Sequence, residues 1–149
     1  MTKKPKVSII TIVKNGMPHL FDTLKSFKHQ SYKNKELIVI YSKSDDKTLK
    51  ILKSSKFIKK IIYQKTPNLY GAVNLGLKNV SGDVIGLLHS ADIFFSSKTL
   101  EIIMENYIKD KFDVAYGNIL ISEKNDLENI IRNWKSKPFK KNYLKYGWM

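Results

Sequence analysis

Short blocks of unbroken apolar residues alternate along this chain with stretches where apolar residues recur every three or four positions. Val7 to Val13, VSIITIV, is β-branched and lacks polar alternation, which predicts a strand covered on both faces. Lys14-Asn15-Gly16 ends it. Pro18 then suits the first turn of a helix, and Leu20, Phe21, Leu24 and Phe27 follow at helical spacing. Leu37 to Tyr41, LIVIY, predicts a second buried strand, after which Asp45 or Asp46 is placed to cap a helix carrying Leu49, Ile51 and Leu52. Phe57 to Tyr63 predicts a third strand, interrupted by lysines. Residues 70–79, YGAVNLGLKN, read as a helix whose Gly and Ala permit close packing on a sheet. Val84 to Leu88 predicts a fourth strand and Val114 to Ile121 a fifth. Between them Thr99 to Ile108 is amphipathic, with Leu100, Ile103 and Tyr107 on one face. DLENIIRNW fits either a helix or the second arm of a hairpin turned at Lys124-Asn125.

Strand and helix alternate over residues 7–121, which predicts an α/β fold with an open, mostly parallel sheet flanked by helices. The 149 residues are about one domain's worth. From about residue 122 a tail, hairpin or helix, is expected to lead onward from this single domain. In such a sheet every strand's carboxyl end lies on one edge, and ligands sit there near the reversal of strand order. That edge collects Lys14, Asn15, Asp45, Asp46, Lys47 and Asp92. No GxGxxG follows the first strand and no GxxxxGK[ST] occurs, so dinucleotide oxidoreductases and phosphate-loop NTPases fit poorly.

Charge changes the picture in one respect. The formal net charge is +14, from 27 basic and 13 acidic residues, and Arg132 is the only arginine. The lysines run along the whole chain and base-reading arginine is nearly absent, so no specific nucleic-acid partner is expected. Attraction to anionic substrates or to a membrane surface stays open. Cysteine is absent, which excludes a disulfide framework, a thiolate metal site and a thiol nucleophile, and fits a reducing cytoplasm. No apolar run approaches the roughly 18 residues of a membrane span.

One stretch carries a chemical question. Gly86 to Phe95 reads GLLHSADIFF, an apolar run with one carboxylate, Asp92, preceded by His89 and Ser90. An acid buried in such a run needs a partner. A metal ion is one candidate; a helix or turn cap is the other.

LKSFKHQSYKNKELIVI (residues 24–40) resembles the helix–loop–strand passage of family 2 glycosyltransferases of the GT-A fold, with Ser26, Gln30, Tyr32 and Glu36 in register. The similarity continues through VSIITIVKNG, SDDKTLKIL, LYGAVNLGLKNVSGDVIGLL and WKSKPF, and spans essentially the whole chain. It implies a domain that binds a nucleotide-diphospho-sugar donor, usually with Mg2+ or Mn2+, for inverting transfer to a glycan or lipid-linked acceptor in surface polysaccharide synthesis. The location implied is the bacterial cytoplasm, or the periphery of the inner face of the membrane.

Site residues carry over position by position. Asp92 stands where the family's metal-ligating aspartate stands, and one carboxylate with two phosphate oxygens and waters is an acceptable Mg2+ shell. Ala91 replaces the acid before it, and His89 replaces an asparagine. His89 reads first as a packed, satisfied side chain and second as a further metal ligand. Val13, Lys14, Asn15, Tyr41, Tyr70, Asn74, Ser90 and Ala91 are the expected donor-binding positions. Tyr41 stands where the family has its base-reading aspartate; it either stacks on a base or simply finishes a buried strand. Thr66 and Gly71 replace two further acids. No catalytic base is assignable, since the family's acceptor segment and its base lie beyond a match to Met149. This favours a donor-binding portion, with a catalytically inactive binding module as the alternative and a basic polyanion-binding protein as the third reading. The aromatic tail around Phe139, Tyr143, Tyr146 and Trp148 is expected to promote self-association.

Overall fold

A computed structural model describes residues 4–123 and 126–140. Its elements run β1 (Val7–Val13), α1 (Leu20–Lys28), β2 (Lys35–Tyr41), α2 (Thr48–Ser54), β3 (Lys60–Tyr63), α3 (Leu69–Leu77), β4 (Val84–Leu87), α4 (Thr99–Asp110), β5 (Ile119–Glu123) and β6 (Asp126–Trp134). The described residues fall into two compact units that divide between Lys111 and Phe112.

In the first unit β1 to β4 form one sheet of order β3-β2-β1-β4, with every pairing parallel. Parallel strands buried on both faces need apolar side chains on both, and VSIITIV and KELIVIY supply them. On one face Val7, Ile9, Val13, Leu37 and Val39 pack with Leu20, Leu24 and Phe27 of α1, Leu52 of α2, and Leu100 and Met104 of α4. On the other, Ile10, Ile38 and Ile40 meet Ala72 of α3. The close packing expected of α3 is present: a Cβ on Gly76 would lie 2.7 Å from Ile10 Cγ2.

Several boundaries differ from the sequence reading. The buried stripe of α1 is Leu20, Thr23, Leu24 and Phe27, while Phe21 faces water one position off it. Pro18 precedes the helix rather than joining its first turn. β3 begins only at Lys60, because Phe57 turns inward to stack on Phe27 at 6.3 Å and Ile58 packs beside it. β5 is not a further strand of the parallel sheet. It starts after Gly117-Asn118 and pairs antiparallel with β6, which resolves DLENIIRNW as a hairpin arm. Gly weakens a strand interior, and pairing neighbouring segments closes a short loop at low entropic cost. Lys124, Asn125, Tyr143, Tyr146 and Trp148 lie outside the described residues. Among the described residues no helix is long and apolar enough to cross a membrane.

The N-terminal ends of the strands are tied by one buried carboxylate. Glu36 accepts hydrogen bonds from Lys6 Nζ, from Ser8 Oγ (2.6 Å), and from Ser81 N–H (2.8 Å) and Oγ (3.0 Å). Burial alone would raise its pKa; these donors outweigh it and hold the carboxyl down to about 2.

Candidate functional site

The order β3-β2-β1-β4 means that the chain adds strands to one side of β1 and then crosses to the other. The reversal lies between β1 and β4, and at their carboxyl ends sit the loops 14–16 and 88–98.

The first loop is the more tightly built. Gly16 is obligatory, since a Cβ there would lie 2.6 Å from Val13 Cγ2. Asn15 adopts a left-handed backbone (φ 49°), a conformation asparagine tolerates better than most residues. Its N–H donates to Ser44 Oγ (2.9 Å), and its side-chain oxygen accepts from the Asp45 N–H (3.0 Å). The Gly16 N–H donates to Thr48 Oγ1 (2.8 Å). The Met17 N–H donates to Asp46 Oδ2 (3.0 Å), while Asp46 Oδ1 accepts from the Thr48 N–H (2.9 Å). The N-cap of α2 is Lys47, so neither aspartate holds the cap position expected of them; Asp46, one residue earlier, accepts the first N–H of the helix and bridges to the β1 loop as well. The Thr48 hydroxyl above all, against slight burial and with the Met17 and Thr48 N–H groups, holds its pKa below the ordinary value.

Register sets Val13 beside Tyr41 at the ends of β1 and β2. Val13 is buried core. Tyr41 is 8% exposed, with its ring 5.9 Å from that of Tyr63, so its aromatic face is already engaged. Lys14 is exposed beside them. Tyr70 and Asn74 lie on α3, whose N-cap Asn68 accepts from the Gly71 N–H (2.9 Å); both are exposed, Tyr70 by 79%. Hydrogen bonds therefore unite the loops after β1 and β2. The loop after β4 joins this edge through the strand itself, where the Leu88 N–H donates to Ile10 O (3.0 Å).

In that loop the premise of a buried acid fails. β4 ends at Leu87, a turn closes with the Asp92 N–H on His89 O (3.0 Å), and Asp92 is exposed. His89 is exposed too, not packed, because the chain has left the sheet before reaching it; Ala91 is exposed and Ser90 half-buried. The Asp92 carboxylate accepts no hydrogen bond or ion pair from the described residues, and no cluster of three or more His, Cys, Asp or Glu surrounds it. One free carboxylate does not hold a resident ion. It does fit a hard cation whose remaining ligands come from a diphosphate and water.

Free does not mean loose. Gln30, 2% exposed, donates from Nε2 to Ser96 O (2.7 Å) and Ser26 O (3.2 Å), and accepts at Oε1 from the Leu100 N–H (2.9 Å). The Phe94 N–H reaches Ser26 Oγ (3.3 Å), and the Ser31 N–H reaches Ser97 O (2.8 Å). The end of α1 thereby fixes the segment that follows Asp92. Ser26 and Gln30 stand out in the sequence only by resemblance; their role emerges from the packing.

Comparison with known proteins accords with this architecture. A Rickettsia typhi glycosyltransferase is 33% identical over 125 residues, which are 83% of this chain and 39% of that one. Glycosyltransferase GlyA of Streptococcus pneumoniae is 31% identical over 116 residues, 76% of this chain and 16% of GlyA. The chain thus spans well under half the length of these relatives. Residues 1–349 of Staphylococcus aureus TarS superpose with a TM-score of 0.68 at 22% identity, over 80% of this chain and 36% of that one. Mannosyltransferase PcManGT of Pyrobaculum calidifontis gives 0.65 at 19%, over 84% and 38%. These two likenesses establish a shared glycosyltransferase fold, GT-A in class. The profile of glycosyl transferase family 2 matches residues 8–148, and the chain belongs to that family.

Proposed function

We propose that this domain binds a nucleotide-diphospho-sugar at the β1/β4 crevice, with Mg2+ or Mn2+ held between the diphosphate and Asp92, for inverting sugar transfer in surface glycan synthesis. The observation that carries this reading is the free Asp92 carboxylate on a firmly anchored loop at the strand-order reversal. Two fold neighbours support the ligand class: TarS has been crystallised with UDP-GlcNAc, and PcManGT with GDP-Man and Mn2+.

When bound, the cation neutralises charge on the departing diphosphate. Asp92 would contribute an anionic oxygen ligand, and exposed Lys14 on the loop after β1 would contribute positive charge. On α3, Tyr70 offers an exposed ring and hydroxyl near the start, and Asn74 an exposed amide one turn further on. No described residue is assigned as the base that an inverting transfer requires.

A binding module without transferase activity is the second reading. It is favoured by Ala91, which supplies no second carboxylate, and by Tyr41, whose ring is committed to the core. Calorimetry with UDP and GDP tests both readings. Tighter binding in Mn2+ than in chelator supports the donor site, and Ala91→Asp should widen the gap. Equal affinity in both solutions overturns the metal-bridged site. Efficient sugar transfer by this chain would overturn the binding-only reading.

A further inference from the structure

The net charge is not spread evenly. Between Asp46 and Asp83 lie eight lysines and no acid, so 36 residues carry +8 of the total +14. Residues 83–149, by contrast, hold ten basic and nine acidic side chains. The acid-free segment comprises α2, β3 and α3, and β3 is the outer strand of the sheet, with α2 and α3 on opposite faces. The fold therefore gathers these lysines around one lateral edge. Lys50, Lys53, Lys56, Lys59, Lys60 and Lys65 are all exposed, and among the described residues none pairs with a carboxylate.

We propose that this β3 edge is a docking surface for a bilayer rich in anionic headgroups. Lysine on an edge strand also discourages strand pairing, but that explanation reaches Lys60 and not the lysines of α2 and its following loop. The surface has an apolar component as well. Ile61 (38% exposed) and Tyr63 (56% exposed) stand among the lysines and line an open pocket of about 470 Å3 with Tyr41, Leu49 and Lys53. Ammonium groups around an exposed tyrosine and isoleucine match the phosphate level and the upper acyl region of a membrane surface. A polynucleotide would share the charge attraction, yet the edge carries no arginine for base or bidentate phosphate contacts. The edge runs along the strands, so a bilayer against β3 leaves the loops at the strand ends open. Docking through this edge does not depend on donor binding.

Co-sedimentation with vesicles tests it. The chain should bind phosphatidylglycerol-containing vesicles, ignore pure phosphatidylcholine, and release as salt rises. A variant carrying Lys50→Glu, Lys53→Glu, Lys56→Glu and Lys59→Glu should bind at least about tenfold more weakly. A variant of equal charge change elsewhere, Lys25→Glu, Lys33→Glu, Lys98→Glu and Lys109→Glu, should lose less than about threefold. If the first variant does not fold, the same four positions as glutamine replace it. Equal losses in the two variants would reduce the effect to bulk charge and overturn the proposal. No binding to anionic vesicles would overturn it too, as would tighter binding of a DNA duplex through the same four lysines.

Discussion

At the N-terminal ends of the strands, Glu36 is 6% exposed and accepts hydrogen bonds from Lys6, Ser8 and Ser81. At the C-terminal ends, Asp92 is exposed and accepts none from the described residues. Both carboxylates stand in the stretches that match family 2 glycosyltransferases, and nothing in residue type separates them. Their surroundings do. A carboxylate whose acceptor sites are filled by the protein joins strands; one whose sites are empty, on a loop held by other groups, is available to a ligand.

The largest effect should come from the closed end. Glu36→Ala on β2 strips the acceptor from four donors, on Lys6 and Ser8 at the start of β1 and on Ser81 ahead of β4, and should cost about 3 kcal/mol or more in urea denaturation. Asp92→Asn in the same assay should stay within about 0.5 kcal/mol of the parent. Similar losses in the two variants would erase the distinction.

Acid sharpens the same contrast. Glu36 titrates near 2 in the folded chain against an ordinary value of 4.5, so the unfolded chain takes up this proton first. Its stabilisation is complete above about pH 4.5 and is lost as pH falls toward 2, on the order of 3 kcal/mol in all. Urea midpoints measured down that range should fall steeply in the parent and less steeply in Glu36→Gln.

Much of this was legible in the sequence, for physical reasons. Strands buried on both faces leave continuous apolar runs, so VSIITIV and LIVIY predict the sheet centre, and helical spacing predicts α1 and α4. Val114 to Ile121 is apolar enough for a buried strand, yet β5 spans Ile119–Glu123 and pairs with β6, because composition does not say which partner a strand finds. The burial that the sequence suggests for His89 and Asp92 fails for a related reason. GLLHSADIFF looks uniformly buried, but the sheet ends at Leu87, and a linear pattern does not record where the backbone turns away. The roles of Gln30, Ser26 and Asn15 depend on groups distant in sequence, which no local signal encodes.

Gln30 gives an intermediate effect. Gln30→Leu keeps the volume but abandons Ser96 O and the Leu100 N–H, and should cost about 2 kcal/mol. Hydrogen exchange should accelerate at Phe94 to Leu100 while the amides of β1 stay protected. Uniform acceleration across the unit would make Gln30 a general core residue instead of a brace for the Asp92 loop.

The smallest effect is a gain. Thr11 is fully buried and its hydroxyl has no hydrogen-bond partner among the described residues, so it loads the sheet centre without serving either end. Thr11→Val should stabilise by about 1 kcal/mol in thermal melts and leave nucleotide affinity unchanged. A loss of stability would reveal a bond to that hydroxyl.

Asp92 is best tested by the part of nucleotide affinity that depends on metal. UDP and GDP are titrated into the parent and into Asp92→Asn, each in Mn2+ and in chelator. The parent should bind whichever nucleotide it prefers at least about tenfold more tightly with Mn2+, and Asp92→Asn should bind equally in both solutions with its folding intact. A metal-dependent gain that survives in Asp92→Asn would contradict the assignment of this carboxylate to the ligand.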